Sequence, residues 1–222
     1  FSEIESNRHD TPVASSEAIQ WRCVVNVYSY VPGGYAGDLV SVEVDIRRGI
    51  PTTDIVGLPD NAVREARERV RVALRKTGLE YPGDRVLVNL APAGVRKVGA
   101  SFDLAIAVAV LEASGQLGGG ADLLPEKVLV VGELQLDGTV RSVSGVLSAV
   151  ATASERGIGH VLVPADNLRE ARALQYGVVE GVGTLRKAVN TLRRSFTSGS
   201  GETAAQAKQP QKTAAGTEVL AH

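Results

Sequence analysis

One run decides what the rest of the chain must build around. Residues 101–115 read SFDLAIAVAVLEASG, and between Phe102 and Leu111 the only polar side chain is Asp103. A helix that is apolar on every side has no face to give to water, so it must be enclosed. The spacing predicts a central buried helix over 101–115, with Phe102, Leu104, Ile106, Val108 and Leu111 packed against a sheet. Its longest apolar stretch, LAIAVAVL (104–111), is too short to cross a bilayer. Ser101, two residues after Gly99, stands where a hydrolase would present a nucleophile, and equally where a helix would take its N-cap.

The chain supplies the enclosure. Hydrophobic residues make up 44% of the 222 residues and aromatics only 4%, so the core must be built from Val, Leu, Ile and Ala. LVSVEVDIR (39–47) alternates strictly, with Val40, Val42, Val44 and Ile46 on one side, and reads as a half-solvated strand. WRCVVNVYSY (21–30) is β-branched and aromatic and should pair with it as a hairpin across a long loop. TTDIVG (52–57), RVLVNLAP (85–92), KVLVVGEL (127–134) and HVLVP (160–164) read as further strands. Helices are expected over 60–78, 144–157, 165–174 and 184–194. The first has an Asp/Asn cap, apolar positions 62, 63, 66, 70, 73 and 74, and Gly78 as its stop. Strands followed by alternating helices and strands predict an α/β fold, an α+β two-layer sandwich of sheet and helices.

Composition bounds the partners. The net charge is −1, so no whole-molecule field draws the chain to nucleic acid or membrane. A single cysteine, Cys23, excludes an internal disulfide framework and fits a cytoplasmic protein. Residues 1–20 are polar and lack signal-peptide regions, and read as a disordered leader without an initiator Met. Residues 195–222, rich in Ser, Thr, Gly, Ala and Gln, read as a flexible linker or tail. The folded unit is expected over 21–194.

Residues that carry chemistry are sparse. A phosphate loop needs Gly-Lys-Ser/Thr, but Lys76-Thr77 and Lys212-Thr213 follow Arg75 and Gln211. GVGTLRK (181–187) reads as a loop entering a helix cap. His9, His160 and His222 lie far apart with no metal-ligand spacing, and His160 reads as a strand boundary. Asp103 suits the positive end of a helix dipole, while Glu133 and Asp137 flank a hairpin; turn and dipole chemistry is preferred over a general base for each. The helix over 60–78 carries Arg64, Arg67, Arg69, Arg71, Arg75 and Lys76 against Glu65 and Glu68. That stripe reads either as a contact for DNA phosphates or a partner subunit, or as a solvated face with i,i+4 pairs such as Glu65–Arg69.

Three strings then carry a family resemblance: IVGLPDNAVREARERVRVAL (55–74), YPGDRVLVNLAPAGVRKVGASFDLAIAVAVLEASGQL (81–117) and VVGELQLDGTVRSVSGVL (130–147). Together they resemble the N-terminal domain of the ComM family, magnesium-chelatase-subunit-I-like AAA+ proteins of bacteria. The resemblance covers about 24–194. It implies a fold shared with domain 2 of ribosomal protein S5, the Lon protease domain and the RadA C-terminal domain. It also implies full-length relatives that are ATP-driven ring motors on branched DNA, active in recombination during natural transformation. ATP and Mg²⁺ belong to an AAA+ module that these residues lack, so no cofactor or metal is expected in this chain. Self-association within a ring and contact with DNA are the implied partnerships, with no membrane; Arg64, Arg67, Arg71, Arg75 and Lys76 are the candidates for contact with DNA or a neighbouring subunit.

The Lon kinship bears on Ser101. Lon-type peptidases use a Ser-Lys dyad whose serine lies in Lys-x-Gly-x-Ser, and Lys97-Val98-Gly99-Ala100-Ser101 matches that string. The resemblance puts Leu147 at the position of the lysine. A serine hydroxyl without a base is a poor nucleophile, so the dyad is degenerate unless Lys97 or Lys127 takes the role. Three functions compete: a non-catalytic domain of a DNA-remodelling AAA+ ring, a Lon-like peptidase, and a stand-alone binding module. Ser101 is expected to cap the buried helix.

Overall fold

The computed structural model describes residues 26–33, 37–118 and 127–198. The leader over 1–20, Cys23, His9, His222, Lys212-Thr213 and the tail from 199 lie outside the described residues.

Alternation in the sequence becomes a hairpin first. β1 (Val27–Val31) pairs antiparallel with β2 (Asp38–Arg47), in a register that sets Tyr28 opposite Ser41 and Val31 opposite Asp38. In β2, Val40 and Val42 are buried while Ser41 and Glu43 keep partial access to water, the half-solvated strand that period two requires. β3 (Thr52–Val56) runs parallel to β4 (Arg85–Ala91), which closes antiparallel on β2. β5 (Val128–Val130), β8 (His160–Pro164) and β9 (Val178–Val182) extend the other side in parallel. The seven-stranded order is β3-β4-β2-β1-β5-β8-β9, antiparallel only where β2 meets its neighbours.

α1 (Asn61–Lys76) is built as its sequence signals demand. Asp60 accepts the Val63 N–H at 2.8 Å as N-cap. At the far end Gly78 turns left-handed (φ +73°), Gly78 N–H reaches Arg75 O and Leu79 N–H reaches Leu74 O, a Schellman stop. Val63, Ala66, Val70, Ala73 and Leu74 are buried. α2 (Asp103–Ala113) is buried at every position from Asp103 to Leu111. α1, α2 and α5 (Leu185–Ser198) share one core with the sheet face carrying Val27, Val42, Val88 and Val130. The opposite face, carrying Tyr30, Leu129, Val161 and Val179, is covered by α3 (Val146–Glu155) and the short α4 (Leu168–Ala171). The molecule is thus an α/β sandwich, two-layered at the β3–β4 end and covered on both faces at the β5–β8–β9 end.

Several elements differ from the sequence expectation. KVLVVGEL is not one strand: β5 stops at Val130, and Glu133–Leu134 forms a separate ribbon (β6) with Val140–Arg141 (β7). The break is at Gly132, whose N–H donates to Ser101 O and whose carbonyl accepts from Leu104 N–H. A Cβ there would meet Val140 and Leu104 side chains at 3.0–3.1 Å, so the chain leaves the sheet where glycine allows a close approach to α2. Residues 165–174 form a four-residue α-helix between two 3₁₀ turns rather than one helix. β9 carries no clear strand signal because Gly181 interrupts it; a Cβ there would press on Leu168 at 3.0 Å. α5 runs on to Ser198, four residues past its expected end.

Candidate functional site

The residues singled out around Ser101 lie on the loop 92–102, which is pinned to the entrance of α1. Lys97 N–H donates to Leu58 O at 3.2 Å, Asp60 N–H to Lys97 O at 2.9 Å, and Gly99 N–H to Asp60 Oδ2 at 3.1 Å. Asp60 therefore caps α1 with one oxygen and holds the loop with the other. Leu58 pays for the junction with a left-handed backbone (φ +61°), and both it and Val98 remain about half exposed. Lys97 is fully buried, and its ammonium donates to the Pro92 carbonyl. Burial pulls its pKa below the ordinary lysine value, and the charge of Asp38 offsets part of that. Lys127 is directed elsewhere, its Nζ 5.8 Å from the centroid of the Tyr28 ring.

Ser101 does not cap α2, contrary to expectation. The N-cap residue is Phe102, in helical conformation, and no side chain accepts a capping hydrogen bond. The reason is tertiary. The first-turn Leu104 N–H is taken by Gly132 O at 3.1 Å, and Ser101 uses its own carbonyl to receive Gly132 N–H at 3.0 Å. A neighbouring backbone segment supplies what a serine hydroxyl would otherwise provide. Leu147 sits in the first turn of α3 with its side chain 40% exposed. Its N–H donates to Glu170 Oε1 at 3.0 Å, so a carboxylate from α4 caps α3, whose own N-cap is the left-handed Gly145. Among the described residues no hydrogen bond or ion pair joins Ser101 to Lys97, Lys127 or the start of α3.

Asp103 has an unforeseen partner. It is fully buried, and Arg69 grips it at two points, Nε to Oδ2 at 2.7 Å and Nη2 to Oδ1 at 3.0 Å. Leu134 N–H adds a third bond at 3.3 Å, so one carboxylate ties α1 and β6 to the N-terminus of α2. Burial raises the Asp103 carboxyl above its ordinary value, and Arg69 and the Leu134 N–H oppose that rise. The same hydrogen bond raises the Arg69 pKa. With both oxygens engaged and no surface exposed, Asp103 is a structural anchor. The sequence does hold a signal for it. A carboxylate in the fully buried stretch of a helix needs a cation, and Arg69 flanks the apolar stripe of Ala66, Val70 and Ala73.

The basic stripe of α1 consequently divides. Arg69 turns inward. Arg67, Arg71 and Arg75 converge on a groove of about 390 Å³ between α1, the edge strand β3 and the loop 81–84. Asp54, Glu68 and Asp84 line the same groove, balancing three cations with three carboxylates. Tyr81 also lines it, its hydroxyl 2.8 Å from Thr53 Oγ1, and burial raises the phenol's pKa. Arg64 and Lys76 are exposed but do not line the groove.

The remaining candidates take structural places. His160 opens β8. Asp137 accepts Thr139 N–H at 2.8 Å in the β6–β7 turn, and that bond lowers its carboxyl. Thr184 caps α5 through Lys187 N–H at 3.2 Å. Among the described residues, no three His, Cys, Asp or Glu side chains gather as a metal site would require. No helix there is long and apolar enough to cross a membrane.

Comparison with known proteins places this arrangement among relatives. The family described as subunit ChlI of Mg-chelatase matches residues 42–167. An uncharacterized protein of Mycobacterium tuberculosis is 44% identical over 168 residues, 76% of this chain and 33% of its own length. YifB of Escherichia coli is 43% identical over 146 residues, 66% of this chain and 27% of its own. The competence protein ComM of Haemophilus influenzae is 41% identical over 145 residues, 65% of this chain and 28% of its own. The chain spans about a third of the length of the curated relatives it matches, or somewhat less.

Proposed function

The chain belongs to the family of subunit ChlI of Mg-chelatase, and from that premise we propose that it is the non-catalytic N-terminal domain of a ComM-like AAA+ protein that acts on branched DNA in recombination. In this reading the domain serves ring assembly in the cytoplasm, and ATP and Mg²⁺ are handled by a motor module rather than by these residues.

The observation that carries it is the state of the residues a Lon-like peptidase would need. Among the described residues no hydrogen bond joins Ser101 to a lysine; the family resemblance puts Leu147 at the lysine position, and the Lys97 ammonium donates to a backbone carbonyl. The α1 groove supports a contact with a neighbouring subunit. Its three arginines and three carboxylates match a polypeptide surface of mixed charge better than the uniform charge of a nucleic-acid backbone.

Charge reversal at Arg67, Arg71 and Arg75 in a protein that carries the motor tests this directly. Assembly, followed by light scattering, is expected to fall. Unchanged assembly and DNA binding would leave the stripe a solvated face. Casein hydrolysis by the wild-type chain that disappears in Ser101→Ala would favour the peptidase instead.

A further inference from the structure

The second basic surface lies on α5. Thr184, Arg186, Lys187, Asn190, Arg193 and Arg194 line an open depression of about 660 Å³. Among the described residues neither a carboxylate nor an apolar side chain lines it. Cations at 186, 187, 193 and 194 repeat at a spacing of seven, which sets two pairs on one helix face about 10 Å apart along the axis. Two of the guanidiniums are held by neutral acceptors that fix them without cancelling their charge. Arg186 Nη2 donates to the Thr77 carbonyl at the end of α1, and Arg193 Nη2 to Gln116 O at 2.6 Å. Exposed Lys76 lies next to Thr77, so the basic surface continues from α5 to the end of α1.

From this placement we infer that the α5 face binds the phosphate backbone of nucleic acid, without reading its sequence. The composition selects the partner. A protein interface needs an apolar centre, and a membrane-bound helix needs large apolar side chains beside its cations. The described residues of this surface provide neither. A row of preset cations about 10 Å long instead faces several phosphates of a duplex and releases their counterions. The inference deepens the reading of the chain as a domain acting on DNA and is independent of the α1 groove.

The test is equilibrium binding of the 222-residue chain to a fluorescently labelled duplex of arbitrary sequence, repeated between 50 and 200 mM KCl. The wild type is expected to bind with a dissociation constant on the order of 10⁻⁴–10⁻⁶ M. Lys187→Gln with Arg194→Gln leaves Arg186 and Arg193, and their bonds to Thr77 and Gln116, in place. It should flatten the slope of log K against log[KCl] by about 2, close to one unit per lost contact. Lys187→Arg with Arg194→Lys should keep the wild-type slope, and Arg156→Gln with Arg169→Gln, exposed near the ends of α3 and α4, should do the same. Matching thermal midpoints certify the fold. A slope unchanged by the α5 pair overturns the inference and leaves the subunit-docking reading standing. Absence of duplex binding by the wild type at 50 mM KCl also overturns it, while the assembly test on Arg67, Arg71 and Arg75 decides the other reading separately. Competition by poly-glutamate equal to that of DNA at the same charge concentration overturns it in favour of an acidic protein.

Discussion

Asp103 and Arg69 meet edge to edge, a fully buried carboxylate held at 2.7 and 3.0 Å by a guanidinium from the neighbouring helix. The pair replaces any solvent contact for the fully buried charge at the start of the central helix. Removing the cation alone strands that charge.

Arg69→Met is therefore expected to cost about 3–5 kcal/mol at neutral pH. The loss depends on pH in a definite direction. Arg69 lowers the folded-state pKa of Asp103 against the rise caused by burial. Without Arg69, that pKa climbs further above its unfolded value, and the variant loses stability as pH rises through the interval between the two. Below the unfolded carboxylate range the neutral acid has no charge to strand. Denaturant midpoints at pH 7 and at about pH 3.5 should show the gap between variant and wild type narrowing in acid. A gap of constant size would mean that Asp103 stays ionised throughout.

Lys97 gives the opposite dependence. Burial lowers its pKa in the folded state, so the fold favours the neutral amine. Wild-type stability should gain from this site as pH rises from the lowered value toward the ordinary lysine value. The stability of Lys97→Met relative to wild type should accordingly fall between pH 7 and pH 10, whatever its offset at neutrality. Parallel curves for the two proteins would contradict this.

Two glycines separate strain from collision. Gly57 (φ +96°) has the Leu90 carbonyl oxygen 2.1 Å from where a Cβ would stand, whereas Gly99 (φ +84°) has nothing within 4 Å. Gly99→Ala carries only the left-handed penalty, about 1 kcal/mol. Gly57→Ala should cost clearly more, because β4 must move away from the β3–α1 turn. Equal midpoints for the two variants would refute the difference.

Ser101→Ala should change stability by no more than about 0.5 kcal/mol, the range of a substitution that removes no cap. Urea unfolding measures it. A loss of 1 kcal/mol or more would restore the capping role that the Gly132 carbonyl is seen to fill.

What was legible in the sequence was local. Asp60, Gly78 and the stripe from Val63 to Leu74 specify α1 from signals in and beside its sixteen residues, and β2 announces itself by alternation. The apolar content of α2 correctly demands burial on all sides. What escaped depends on segments distant in the chain. Gly132 leaves its strand because α2 needs its carbonyl, and Ser101 loses its capping task for the same reason. Arg69 reads as a surface residue beside Glu65 until the position of Asp103 is known. The cations of α5 form a surface only once α5 lies against the ends of α1 and α2, through Thr77 and Gln116.

The sheet has a seam where β1 meets β5. Val27 pairs with Val128 and Tyr28 with Leu129, across on the order of a hundred residues of intervening chain, while the β1–β2 hairpin and the β3–β4 unit close over far shorter loops. The N-terminal strands and α1 can thus satisfy one another early, during synthesis, before β5 has been made. The β5–β8–β9 half must then find a waiting edge, and until it does the unpaired side of β1 is a template open to any other strand. The folding hazard of this domain is therefore concentrated in time, in the interval between completion of the first half of the sheet and arrival of the second.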